Sequence, residues 1–180
     1  MEKALKNGDN VVLANDIKLP KTLMATKDAV IDLNGKTITA PSSGAMFQSQ
    51  SNVADITITS SQSGAKIKAV NNAVLLGYGS TEIYNVEINV GTIKSSNDST
   101  FKVYGDLTLG EGTVVNVDHL GTSLINNNGA VKIVIDGAKI NVGEFKVNGG
   151  SMISINQATT VEMNNTEVTV GLNTTYTSSS

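Results

Sequence analysis

The chain of 180 residues has no cysteine, no arginine and no tryptophan, and only 2 prolines. Without cysteine there are no disulfides and no thiolate metal sites, although the compartment stays open. The basic residues are 13 lysines, and the net charge is −3. That balance, with no arginine to fork onto phosphates, argues against a nucleic-acid surface. No apolar run approaches the roughly 18 residues of a membrane-spanning helix, so no membrane partner is expected. Aromatic residues make up 4% of the chain, and the Ala, Leu, Glu, Lys and Arg excess of a helical bundle is missing. Met1–Lys6 has no apolar core of a secretory leader, so none is expected.

What the chain does have is Asn (20), Thr (19) and Ser (17), nearly a third of its length, together with 17 Gly. It also repeats. An apolar alternation, a small turn and a second alternation recur six times, starting near Ala29, Ala54, Thr81, Asp106, Ala130 and Thr160. The last apolar residue before each turn is Leu33, Ile58, Ile83, Leu109, Ile135 and Met163, spaced 25, 25, 26, 26 and 28 apart. A period near 25 built from short alternating strands is the mark of a β-solenoid.

After the turn, Ile38, Ile67, Ile88, Val115, Ile140 and Val168 form one column. Two residues on, Ala40, Ala69, Val90, Val117, Val142 and Val170 form another. A period of two puts both columns on one face, which must be the inside. Between them, Thr39, Lys68, Asn89, Asn116, Asn141 and Thr169 point outward. A third apolar patch precedes the later copies: Met46 and Phe47, Val74 and Leu75, Phe101 and Val103, Leu124 and Ile125, Met152 and Ile153. Leu23 and Met24 match it in the first coil.

The expected fold is therefore all-β: a single-stranded, right-handed parallel β-helix of about six coils of roughly 25 residues. The turns hold Asn34-Gly35, Asn85, Glu111-Gly112, Asp136-Gly137 and Asn164-Asn165, residues that tolerate positive φ. Antiparallel hairpins about Asn-Gly are the competing reading, but they leave the period and the third strand unexplained. Gly91, Gly143 and Gly171 follow three of the copies as expected bends, and Ser60–Gly64 is an expected projecting loop. One domain spans residues 1–180: a cap and lead-in strand over 1–17, coils over 22–170 and a polar tail over 171–180. Glu2–Lys6 predicts a short capping helix with Ala4 and Leu5 inward and Gly8 ending it. The other end has no such cap. Val168, Val170, Leu172 and Tyr176 are its apolar residues, and they mark an expected association end.

The segment Ala29–Ile38 (AVIDLNGKTI) resembles the first-coil signature of right-handed parallel β-helices of the pectate-lyase-like superfamily. Ala4–Leu13 (ALKNGDNVVL) is similar to the cap and lead-in strand of such domains. That superfamily includes polysaccharide lyases and hydrolases, bacterial surface proteins, and bacteriophage tailspikes, fibres and other virion proteins. The resemblance is closest to its non-catalytic phage and surface members. It implies a structural virion protein: a capsid decoration, head-fibre or tail-fibre module. The alternative is a cell-surface or extracellular adhesin or glycan-binding module, and a polysaccharide lyase or hydrolase ranks third. The implied partners are virion proteins, further copies of the chain (a trimer among them) or a surface glycan.

Catalytic chemistry finds little support in the residues, and no enzyme is expected. The lyases of the superfamily commonly use a basic residue as proton acceptor, often Arg, which is absent here. Lys66 and Lys68 fall on outward columns, where a solvated role is expected. Hydrolases need clustered carboxylates. With the last apolar residues before the turns in one column, Asp32 stacks over Thr57, Glu82, Thr108, Val134 and Glu162, with no continuous acidic run. His119, the single imidazole, lies beside Asp118 where the chain leaves a strand, and reads as a surface bend. One His and no Cys make a zinc site unexpected, and no calcium-loop or phosphate-loop pattern is present. No cofactor or metal is expected.

Two features of the outer surface remain. Glu87 is expected one coil from Lys66, and Glu167 one coil from Lys139. Asn89, Asn116 and Asn141 are expected to stack into a ladder, read either as a soluble β surface or as a flat face for a partner. Tyr78, Tyr84, Tyr104, Phe145 and Tyr176 are scattered in sequence and are the only aromatic residues weighed as a sugar platform.

Overall fold

The computed structural model describes residues 1–49, 54–71, 73–93, 99–129, 132–145 and 151–172. A six-residue helix, α1 (Glu2–Asn7), leads into a first short turn of β1 (Val11–Val12), β2 (Ile17–Lys18) and β3 (Leu23–Ala25). Five three-strand turns follow. The first three are β4 (Ala29–Asp32), β5 (Thr37–Thr39) and β6 (Phe47–Ser49); β7 (Ile56–Thr59), β8 (Lys66–Ala69) and β9 (Leu75–Gly77); and β10 (Thr81–Ile83), β11 (Glu87–Ile93) and β12 (Phe101–Val103). The next two are β13 (Leu107–Leu109), β14 (Val114–Leu120) and β15 (Ser123–Asn127), then β16 (Lys132–Asp136), β17 (Lys139–Phe145) and β18 (Ser151–Ile155). β19 (Thr160–Asn164) and β20 (Glu167–Leu172) end the described chain.

Every third strand pairs, in parallel, to build sheets of seven, seven and six strands. The fold is thus an all-β parallel solenoid of about five turns. Each of the six sequence copies places one strand in the sheet of β4 and one in the sheet of β5. Five copies complete a three-strand turn and the sixth stops after two strands.

The post-turn columns lie in register as the alternation requires: Ile38, Ile67, Ile88, Val115, Ile140 and Val168 face inward on adjacent strands. Leu23, Phe47, Leu75, Phe101, Ile125 and Ile153 form the column of the third sheet. Strands about 4.8 Å apart bring identical columns into van der Waals contact, and each fully buried Leu, Ile or Phe contributes about 1.5–3 kcal/mol.

The turn residues adopt the left-handed conformation expected of them: Asn34 (φ 48°), Gly35 (72°), Asn85 (57°), Gly112 (72°), Gly137 (70°) and Asn165 (48°). At the start, Leu5 is 1% exposed and Gly8 ends α1 at φ 80°. Ala4, expected inward, is only half-buried, because one short helical turn aims a single side chain at the core.

Two expectations need correction. In the first full coil Ile31, not Leu33, lies beside Ile58, so Val30 stands beside Thr57 and Asp32 beside Thr59. The last apolar residue before the turn is not the one in register with Ile58. Here the strand carries one more inward residue, Leu33, before the chain turns. Gly91, Gly143 and Gly171 lie inside strands rather than at bends. Their role is close approach: a Cβ on Gly91 would come within 2.4 Å of the Val70 carbonyl oxygen, and one on Gly171 within 1.9 Å of that of Gly143.

Candidate functional surfaces

The outward face of the second sheet carries the asparagine ladder. Asn116 Nδ2 donates to Asn89 Oδ1 at 2.9 Å, and Asn141 Nδ2 donates to Asn116 Oδ1 at 2.9 Å. Below them Asn89 Nδ2 donates to Glu87 Oε1 at 2.9 Å. The chain of amides therefore runs one way along the axis and ends on a carboxylate. Glu87 also meets Lys66 Nζ at 3.0 Å. The Asn89 amide, then Lys66, hold the Glu87 carboxyl below its usual range. Lys139 and Glu167 pair at 3.2 Å on the same face. On the first sheet, Lys132 and Glu162 pair at 3.0 Å. All of these groups are at least partly solvated, and such pairs are worth about 1 kcal/mol or less each.

Five aspartates accept backbone N–H groups. Asp28, Asp55 and Asp106 occupy one corner column, and each carboxylate accepts the N–H of the next rung: Asp55 N at 2.9 Å, Ser80 N at 2.8 Å and Lys132 N at 2.9 Å. Asp16 does the same for Thr37 N at 2.8 Å. Asp32 Oδ1 accepts from Asn34 N at 2.7 Å and Ser61 N at 2.9 Å, tying the Ser60–Gly64 loop to the coil below. Partial burial pushes the Asp32 carboxyl up, but the bonds from Ser61 and Asn34 outweigh it and leave it below the ordinary value. Among the described residues no group of three or more His, Cys, Asp or Glu is placed to hold a metal ion.

His119 is not a bend residue. β14 continues through Leu120, and His119 pairs laterally with Thr92 and Glu144, its imidazole against the Glu144 carboxylate. The strand runs on because Leu120, beside Ile93 and Phe145, supplies one more buried side chain.

Two aromatic arrangements form that the sequence left scattered. The Tyr78 and Tyr104 rings stack with centroids 4.6 Å apart and planes 10° apart. They border a groove of about 400 Å³ that Leu76, Lys102, Ser42, Ser43 and Asn71 also line. The signal was available, since 78 and 104 are one period apart. On the first sheet the Tyr84 ring occupies the space above Gly110, where a Cβ would meet it at 2.0 Å. Burial first, then Glu82, push the Tyr84 hydroxyl up.

At the far end burial fails column by column. Ile135 is 1% exposed, while Met163 beside it is 49% exposed; Ile140 is 1% and Val168 40%. Ile155 is 46% exposed and Val170 is half-buried. Leu172 pairs with Phe145 at the end of β20. Tyr176 lies outside the described residues.

No known protein family, no curated protein and no solved structure matches this chain. No helix among the described residues is long and apolar enough to cross a membrane.

Proposed function

We propose that the chain is a non-catalytic structural module of a bacteriophage virion, a capsid decoration or a head- or tail-fibre segment, joined to its neighbours through the β18–β20 end. The observation that carries this reading is the difference between the two ends: α1 seals one with Leu5, while Met163, Val168 and Ile155 remain open at the other. Apolar columns exposed on three strand edges favour association. The virion setting rests on the resemblance of Ala4–Leu13 and Ala29–Ile38 to such proteins, and a fold of this kind does not fix function.

The test is the absolute mass in solution by light scattering over rising concentration. A closed oligomer that Val168→Lys returns to monomer supports docking through this end. An oligomer indifferent to that substitution overturns it. A monomer leaves a different protein as the partner.

A second reading, a surface glycan-binding module, is favoured by the Tyr78–Tyr104 stack beside its polar groove. Saturable binding of an oligosaccharide, lost in Tyr104→Ala but kept in Asn116→Ala, would support it.

A further inference from the structure

We propose that the groove beside Tyr84 on the first sheet binds an alkylammonium group, of the kind carried by a lysine side chain or a free polyamine. It shares no lining residue with the Tyr78–Tyr104 groove, and its chemistry does not depend on docking through the β18–β20 end.

Register builds the groove. Ile83, Leu109 and Ile135 are lateral neighbours, so the residues that follow them, Tyr84, Gly110 and Asp136, form the next column. Gly110 has no side chain, and the Tyr84 ring lies over it, reaching toward Asp136 one rung further on. A hydrogen bond between the Tyr84 hydroxyl and Glu82 fixes the ring from the other side. One residue along, Gly137 stands next to Glu111 with no side chain to fill the space between them. The result is a recess of about 730 Å³ lined by Tyr84, Thr108, Val134, Glu111, Asp136 and Asn165.

Charge decides what fits there. Glu111 and Asp136 are the charged groups that line the recess, and no lysine does. Among the described residues neither carboxylate is in an ion pair, whereas Glu87, Glu162 and Glu167 are neutralised by Lys66, Lys132 and Lys139. Asp136 Oδ1 accepts from Asn165 Nδ2 at 3.3 Å, a neutral donor that leaves its charge uncompensated. An aromatic ring beside two free carboxylates is complementary to an organic cation, which the ring attracts through its π system. The half-buried Thr108 and Val134 side chains add apolar surface for an alkyl stem. A bare metal ion is a poorer fit, because no third carboxylate or imidazole among the described residues joins the two.

The probes are butylammonium and butane-1,4-diammonium chlorides, titrated into the isotope-labelled full chain at low salt and followed by amide NMR. Potassium chloride at matched ionic strength is the control. Both probes are expected to shift the amides of Gly110, Glu111, Asp136 and Gly137 saturably, beyond any change the potassium salt causes. Glu111→Gln combined with Asp136→Asn is expected to weaken binding at least about tenfold. Tyr84→Leu is expected to weaken it about two- to fivefold. Both carboxylates are exposed, so the double variant decides the matter even where Tyr84→Leu disturbs packing. A diamine that binds more tightly than the monoamine, with the advantage lost when either carboxylate is neutralised, identifies a free polyamine as the source. A diamine with no such advantage identifies a lysine side chain. Shifts no larger than those from potassium chloride, or shifts unchanged in the double carboxylate variant, overturn the proposal.

Discussion

The side chain of Asn116 is held at both ends by its own kind: it donates to Asn89 and accepts from Asn141, each at 2.9 Å. An Asn repeated on successive rungs satisfies itself because donor and acceptor recur at the strand spacing. Asn116→Ala removes both bonds at once. The expected cost is about 1–2 kcal/mol, read from the urea midpoint. Asn116→Asp is expected to cost more, because it sets a carboxylate oxygen against the Asn89 Oδ1 acceptor where a donor stood. A variant as stable as the parent would make the ladder ornamental.

Glycine is required for different reasons at Gly79 and Gly64. A Cβ at Gly79 would lie 2.0 Å from the Ala54 carbonyl oxygen, while at Gly64 (φ 86°) nothing lies within 4 Å. Gly79→Ala must therefore force two rungs apart, at the upper end of about 1–3 kcal/mol or beyond. Gly64→Ala carries only the left-handed strain of about 1–2 kcal/mol. Thermal melts of the two variants should rank in that order.

Thr81 is 1% exposed, and its hydroxyl has no hydrogen-bond partner. Its column neighbours are Ile56 and Leu107. Thr81→Val keeps the shape and removes the unsatisfied group. It is expected to stabilise the chain by about 1 kcal/mol, and a drop in the denaturation midpoint would contradict this.

The carboxyl of Asp32 is held below its ordinary value in the folded chain. A depressed acid contributes stability above its unfolded pKa of about 3.9, and that contribution is lost as pH falls through the lower folded value. Asp32→Asn should therefore flatten the loss of stability below about pH 4 while lowering stability at neutral pH. Stability against pH, measured for both proteins, checks the sign.

Ile140 and Val168 share one inward column at 1% and 40% exposure. Ile140→Ala is expected to cost about 2–5 kcal/mol, and Val168→Ala less than about 1 kcal/mol. Amide exchange should be correspondingly faster in β20 than in β17.

Much of this was legible because a strand has a period of two and the coil a period near 25. Ile67, Ile88 and Val115 announce a buried column by position alone, and the Asn34, Asn85 and Asn165 turns follow from which residues accept positive φ. Asp32 stands two places from the expected register because its strand carries one more inward residue, Leu33, before the turn, so the last apolar residue is a poor marker of position. Corner residues suffer most from this. Asp28, Asp55 and Asp106 act on the neighbouring rung's backbone, and Tyr78 meets Tyr104 only after the chain has gone once around. The place of His119 is not legible locally, because nothing nearby in sequence distinguishes a strand that ends at Val117 from one that runs on to bury Leu120.

In-register pairing also fixes how such a chain can change size. Deleting one whole copy removes a slice about 4.8 Å thick and rejoins matching columns, leaving both ends as they were. Deleting an odd number of residues within a strand turns the following side chains of that strand to the opposite face, whereas the turns take up such changes, as spacings of 25, 26 and 28 show. The sequence is therefore graduated like a measuring rod: its axial length changes in whole divisions, and its turns alone take up single residues.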